Sequence, residues 1–202
     1  MLKSVLASAV VGGCLLGASV ACVANDAGSA WVLPKPHVSG GMPVMEAIGS
    51  RRSVRVFDMD KAIEDAKLSD LLWSAWGISD DTSKRTVPTA LNKQGMELYV
   101  VKAEGVWRYE AKDNALVRIS DKDWRVGQMK QAPVTFVYAG ADQKFADMHA
   151  GSMYQNAGIC AASLGIGNVV IYSPVEQLVK DSFPVSAGYH VVVAQSFGYP
   201  KN

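Results

Sequence analysis

The sequence predicts an α+β domain, a mainly antiparallel sheet flanked by helices. Three observations point there. Two helix-period segments precede the first strand-like run, six strand-like runs follow with several close enough to pair as neighbours, and a long helix of small residues interrupts them. The chain has 202 residues, 49% of them hydrophobic and 19% charged, enough for one sizeable globular domain and not for two.

Lys3 is followed by an uncharged run from Val5 to Ala24, which Asn25 and Asp26 end. A basic start, an apolar middle, small residues and a polar exit form the order of an export signal. Cleavage after Ala24 is one outcome. Ser19-Val20-Ala21-Cys22 also resembles a lipoprotein cleavage box, without the usual Leu. An uncleaved anchor is the third, since about 20 apolar residues span a bilayer. Each reading puts the folded part in the periplasm or otherwise outside the cytoplasm, with membrane contact only if the segment is uncleaved or lipidated. The expected organisation is a signal over 1–24, an extended lead-in over 25–43 and one domain over 44–202.

Pro34, Pro36, Gly40, Gly41 and Pro43 make the lead-in extended. Val44, Met45 and Ile48 have helical spacing. Leu68, Leu71, Leu72, Ala75 and Trp76 form a clearer helical face, with Gly77 as its stop. Met96–Val101 has strand composition, and Val106–Tyr109 with Ala115–Ile119 reads as a hairpin around Lys112-Asp113-Asn114. Val134–Tyr138 is a further strand. The helix expected over His149–Leu164 carries Gly151, Ser152, Ala157, Gly158, Ala161, Ala162 and Ser163, so another backbone can approach it closely, which places it at the centre of the molecule or of a dimer. Asn168–Tyr172, Pro174–Asp181 and Tyr189–Gln195 complete the chain as strand, helix and strand.

Twenty Lys and Arg against nineteen Asp and Glu give a formal charge of +1, which leaves no positive excess for gripping a phosphate polymer; nucleic-acid binding is disfavoured as a main role. Of three cysteines, Cys14 and Cys22 lie in the N-terminal segment and only Cys160 in the domain, so a disulfide framework or Cys-based zinc site is excluded. His37, His149 and His190 lack ligand spacing, and no metal is expected. Gly165-Ile166-Gly167 follows a helix and precedes a strand, the reverse of a dinucleotide loop. Cys160, among Ala and Ile residues, reads as a buried inert thiol. Arg51, Arg52, Ser53 and Arg55 gather three guanidiniums and a hydroxyl within five residues. They suit a terminal phosphate monoester, although on spacing alone a solvated basic turn is the commoner reading.

Four stretches together resemble the FMN-dependent nitroreductase superfamily. Ile48–Phe57, IGSRRSVRVF, resembles its opening phosphate-binding stretch, and Pro88–Gln94, PTALNKQ, its Pro-Ser-x-x-Asn-x-Gln loop. Gly151–Gly167, GSMYQNAGICAASLGIG, is similar to its central helix, and Ser196–Pro200 to its closing Gly-x-Pro. The resemblance implies a homodimer with FMN in two interface clefts and hydride passed from a small-molecule donor to an electron-poor acceptor in ping-pong fashion. It implies that Arg51 and Ser53 hold the FMN phosphate with help from Arg52, and that Arg55 lies near the pyrimidine edge of the flavin. Pro88, Thr89, Ala90 and Asn92 would reach the flavin from the other subunit, and the backbone at Tyr172 and Ser173 would approach N5. No side chain is required as a catalytic acid.

Ala90 departs from a common Ser, and Gly95-Met96 from the usual Pro-Trp. Many relatives continue beyond the closing Gly-x-Pro into a segment with further basic residues, for which Lys201 is the stand-in here. Gln155-Asn156 also resembles the subgroup related to azoline-oxidising dehydrogenases. Export conflicts with free NAD(P)H as donor and favours a quinol, a partner reductase, or substrate oxidation by an external acceptor. The alternatives are an exported non-catalytic flavin-binding or interaction module of the same fold, and a protein in which Arg51–Arg55 is only a surface cluster.

Overall fold

Alternation along the strands sorts their side chains into two apolar layers. In β2 (Met96–Lys102), Leu98 and Val100 face one layer while Tyr99 and Val101 face the other, as a period of two requires. The computed structural model describes residues 30–79 and 83–201; the expected signal over 1–24 lies outside the described residues. Besides β2, the sheet contains β1 (Ala30–Val32), β3 (Gly105–Glu110), β4 (Ala115–Ser120), β5 (Val134–Gly140), β6 (Gly167–Ile171) and β7 (His190–Gly198). Their order is β1-β4-β3-β2-β5-β7-β6 and every pair is antiparallel. β5 and β7 are covered on both faces, which is why they read as nearly continuous apolar runs.

One face carries α1 (Val44–Ser50), α2 (Asp65–Trp76) and α3 (Ala146–Ser163). Leu68, Leu71, Leu72 and Trp76 of α2 meet Met153, Ala157 and Ala161 of α3 over Leu98, Val100 and Phe136. The small residues of α3 let it touch α1, α2 and four strands, so it is the central helix of the domain. The opposite face buries Tyr99, Val137 and Ala194 under Met129, Phe183 and Val175 and Leu178 of α4 (Val175–Lys180).

Several boundaries differ from expectation, three of them instructively. The lead-in contains β1, which pairs Ala30 with Val117 and Val32 with Ala115 at the sheet edge; three residues with Val32 71% exposed carry no readable alternation. α3 begins at Ala146, three residues before His149, because the Ala146 amide already donates to the Asp142 carbonyl (2.8 Å). β7 runs past Gln195 to Gly198, since Ser196 is satisfied across the sheet by Thr135 (Oγ to Oγ1 2.9 Å).

Candidate functional site

The basic stretch is a strap. α1 ends as the Arg51 amide donates to the Ala47 carbonyl (3.1 Å), and the Arg52 guanidinium turns back onto the carbonyls of Gly49 (2.8 Å) and Arg51 (2.9 Å). The chain then crosses the ends of β6 and β7. Ser53 bridges Asn168 and Phe57 bridges Pro200. The Val54 amide donates to the Asn168 carbonyl (2.9 Å), the Asp58 amide to Tyr199 (2.8 Å), and the Lys201 amide to Val56 (3.1 Å). Lys201 thus reaches the strap, by its main chain. Lys67 Nζ donates to the Tyr199 hydroxyl (2.6 Å), which donates to Glu64 (2.5 Å), so the tail is also tied to α2.

Glycines elsewhere make room for this crossing. A Cβ on Gly167 would lie 2.9 Å from Val54 Cβ, and one on Gly198 would lie 3.0 Å from Phe57 Cβ. A Cβ on Gly158 of α3 would lie 3.3 Å from Arg51 Cδ, so the Arg51 stem rests on the bare helix backbone. Arg51 is half-buried, while Arg52, Ser53 and Arg55 are exposed. Among the described residues no carboxylate lies within ion-pair distance of these three arginines, and the Arg51 and Arg55 guanidiniums make no hydrogen bond. Two forked cations and a hydroxyl on a fixed backbone, free of internal neutralisation, form an anion-binding donor set.

The loop over Pro88–Gln94 is built differently. Leu91 (φ 54°), Asn92 (φ 51°) and Gln94 (φ 47°) are left-handed without being glycine, a strained arrangement that needs outside support. The Ala90 amide donates to His149 Nε2 (2.8 Å), the Gln94 amide to Thr89 Oγ1 (3.4 Å), and Gln94 Nε2 to Asn92 Oδ1 (3.0 Å). Arg85 Nε donates to Gln94 Oε1 (2.9 Å), and Lys93 pairs with Asp142 (2.7 Å). Burial holds the Arg85 guanidinium below its ordinary pKa. His149 is buried against Phe145 rather than at the surface, and accepting from Ala90 requires a neutral ring with its proton on Nδ1. Pro88 and Asn92 are exposed, Thr89 and Ala90 half-buried, and Leu91 stands 85% exposed.

Tyr172 and Ser173 are both exposed just past β6. Asn168, under the strap, and Tyr172 are four residues apart, about 13 Å along a strand. His149, under the loop, and Gly158, under Arg51, are nine residues apart, again about 13 Å along a helix. Within one chain the structure therefore brings Arg51, Ser53 and Asn168 together, puts Tyr172 and Ser173 at the other end of the same strand, and keeps the loop separate. Asn168 and His149 are the positions missed from sequence, one read as an ordinary strand residue and the other only as a histidine without metal-ligand spacing. Cys160 is half-buried and burial pushes its thiol up to about 11, which suits an inert thiol. A cavity of about 680 Å³ opens between the lead-in, α1, α2 and α3, lined by Met42, Val44, Trp73, Ile159 and Cys160 and by none of the predicted site residues.

The Nitroreductase family profile matches residues 48–199. A Methanocaldococcus jannaschii protein assigned as a nitroreductase is 29% identical, over 60% of this chain and 74% of its own length. A crystal structure from Ralstonia eutropha JMP134, also assigned as a nitroreductase, superposes with a TM-score of 0.78 at 26% identity, covering 89% of this chain and 93% of that one. A Bacteroides fragilis nitroreductase with bound FMN shares the fold at a TM-score of 0.57 and 19% identity, over 78% of this chain and 88% of its own. The matched span takes in the strap, the loop, the central helix and the closing strand, and by that match the chain belongs to the nitroreductase family, a family of oxidoreductases.

Proposed function

We propose that the protein is an FMN-dependent oxidoreductase that passes hydride between a small-molecule donor and an electron-poor organic acceptor, working as a homodimer. The observation that carries this reading is the strap: Arg51 and Ser53 on a backbone fixed to β6, with no acid among the described residues to neutralise them. That donor set fits the terminal phosphate of FMN, and Gly167 and Gly158 leave the room in which Val54 and the Arg51 stem are seated. Two FMN-bound nitroreductases, from Bacteroides fragilis and Desulfovibrio desulfuricans, share the fold. When bound, FMN supplies a ring that accepts and releases a hydride.

The chain's own residues bind and tune that ring. Arg51 and Ser53 hold the phosphate, and Arg52 fixes the turn before them. Arg55 supplies a positive charge that favours negative charge on the ring. Tyr172 and Ser173 offer backbone at the far end of β6, and Pro88, Thr89, Ala90 and Asn92 of a second copy close the cleft. Val44 and Met45, adjacent on α1, stand exposed, as residues that a second copy would cover do. Val44 also lines the cavity beside α1. Residues 1–24 are proposed to direct export, which makes a quinol or a partner reductase the fitting donor.

The test is an absorbance spectrum of the purified protein with and without added FMN, beside an Arg51→Ala, Ser53→Ala double variant. Flavin bands at one FMN per chain that vanish in the variant are expected. A colourless protein that ignores FMN overturns the reading, and a yellow one that no donor bleaches leaves a flavin-binding module in its place. Sedimentation reads the dimer, and cell fractionation the export.

A further inference from the structure

Beneath the strap lies a polar chain in an otherwise apolar layer. Tyr138 of β5, Gln195 of β7 and Asn168 of β6 are all buried, at 0%, 0% and 3% exposure. Gln195 stands opposite Phe136 and Val170, so Tyr138 and Asn168 are its diagonal neighbours on the two flanking strands. The Tyr138 hydroxyl donates to Gln195 Oε1 (2.6 Å). Gln195 Nε2 donates to Asn168 Oδ1 (2.9 Å) and to the Tyr154 carbonyl (3.1 Å), and Asn168 Nδ2 donates to the Gly158 carbonyl (3.4 Å).

Stability alone does not call for such a chain, because a buried polar network exchanged for apolar residues of matching shape is often neutral. What singles it out is where it ends. The space a Gly158 side chain would fill is bounded by Arg51 Cδ (3.3 Å), Asn168 Oδ1 (3.3 Å) and Gln195 Nε2 (3.5 Å). Asn168 joins the strap to α3: its carbonyl receives the Val54 amide, and its side chain ties β6 to the helix on which Arg51 rests.

We propose that Tyr138, Gln195 and Asn168 are positioning residues for the phosphate end of the flavin site. They lock α3 at Gly158 against β6, so Arg51 and Ser53 stand in their binding arrangement before a ligand arrives, which lowers the ordering cost of capture. The inference rests on the FMN reading above and adds residues that touch neither ring nor phosphate.

The test compares FMN with riboflavin, which has the same ring and no phosphate, by flavin-fluorescence titration of the parent protein and the Tyr138→Phe, Gln195→Leu and Gly158→Ala variants, each with a melting curve. The expected result is about a tenfold loss of FMN affinity in each variant, the size of one well-made hydrogen bond, with riboflavin affinity unchanged. Tyr138→Phe removes a single oxygen and keeps the test standing if Gln195→Leu does not fold. Variants that weaken both flavins alike, or that keep the parental preference for FMN, overturn the positioning role. A parent protein that binds FMN no better than riboflavin overturns the phosphate reading itself, and that result is read before any variant is made.

Discussion

The strap and the loop are both candidate flavin-binding segments, yet they are held by opposite means. Arg51–Phe57 is extended backbone fixed by main-chain hydrogen bonds, and the residues that permit it are glycines far away in sequence, Gly158, Gly167 and Gly198. Pro88–Gln94 is contorted backbone that closes on itself through the Asn92 and Lys93 amides and is anchored to the rest of the fold by side chains, chiefly His149 and Arg85. In the strap the Arg51, Ser53 and Arg55 side chains make no hydrogen bond among the described residues and are left for a ligand. In the loop they are engaged in making the shape. Adding atoms beneath the strap should therefore harm it, and deleting atoms beneath the loop should harm that.

The largest effect is expected from Gly167→Ala. Its Cβ would fall 2.9 Å from Val54 Cβ, forcing the strap off β6 at a cost of about 1–3 kcal/mol, as overpacking does. Urea unfolding reads the cost, and FMN affinity falls with it; an unchanged midpoint would show that the strap yields freely. His149→Ala comes next. It leaves the Ala90 amide without its acceptor and is expected to cost about 1 kcal/mol, seen as a melting point a few degrees lower. Because the damage is at the loop, FMN and riboflavin binding fall by the same factor, and a phosphate-selective loss would break the contrast between the two regions.

The smallest effect uses Cys160 as a reporter. Burial raises its thiol to about 11 from the ordinary 9.0, so at pH 8 its thiolate fraction, and with it the rate of reaction with a thiol reagent, is roughly a hundredfold below that of a free cysteine. The sign follows from the neutral form being favoured in the fold: labelling stays slow below the raised value and accelerates as pH passes through it. Cys160 sits two residues beyond Gly158, so Gly167→Ala is expected to speed labelling and His149→Ala to leave it alone.

This contrast also explains what could be read in advance. Arg51, Arg52, Ser53 and Arg55 are contiguous, so their chemistry is visible as a word in the sequence, and the small-residue pattern of α3 announces a helix that something approaches closely. Gly158 and Gly167 were visible as small residues, but nothing local says that Arg51 and Val54 are what they accommodate. The loop hides its shape because Leu91, Asn92 and Gln94 adopt left-handed conformations without the glycine that usually signals them. His149 meets Ala90 across 59 residues, a distance over which no pattern speaks. One signal was available and unused: Gln195 and Ser196 are polar interruptions in an apolar strand, and such residues, when buried, have partners.

The way the sheet is closed sets the order in which the molecule can be completed during synthesis. One edge is finished by β1 against residues 115–117, and the strap by contacts with Asn168 and with residues 199–201. Ser53–Asn168 and Val56–Lys201 are among the longest-range contacts of the domain, and such contacts form slowly because a long loop must close first. Until residues 168–201 are made, the strap has nothing to lie against. Helices and hairpins between residues 65 and 163 can take shape as they emerge, but the anion-binding end waits for the closing residues, making it the last part of the domain to mature.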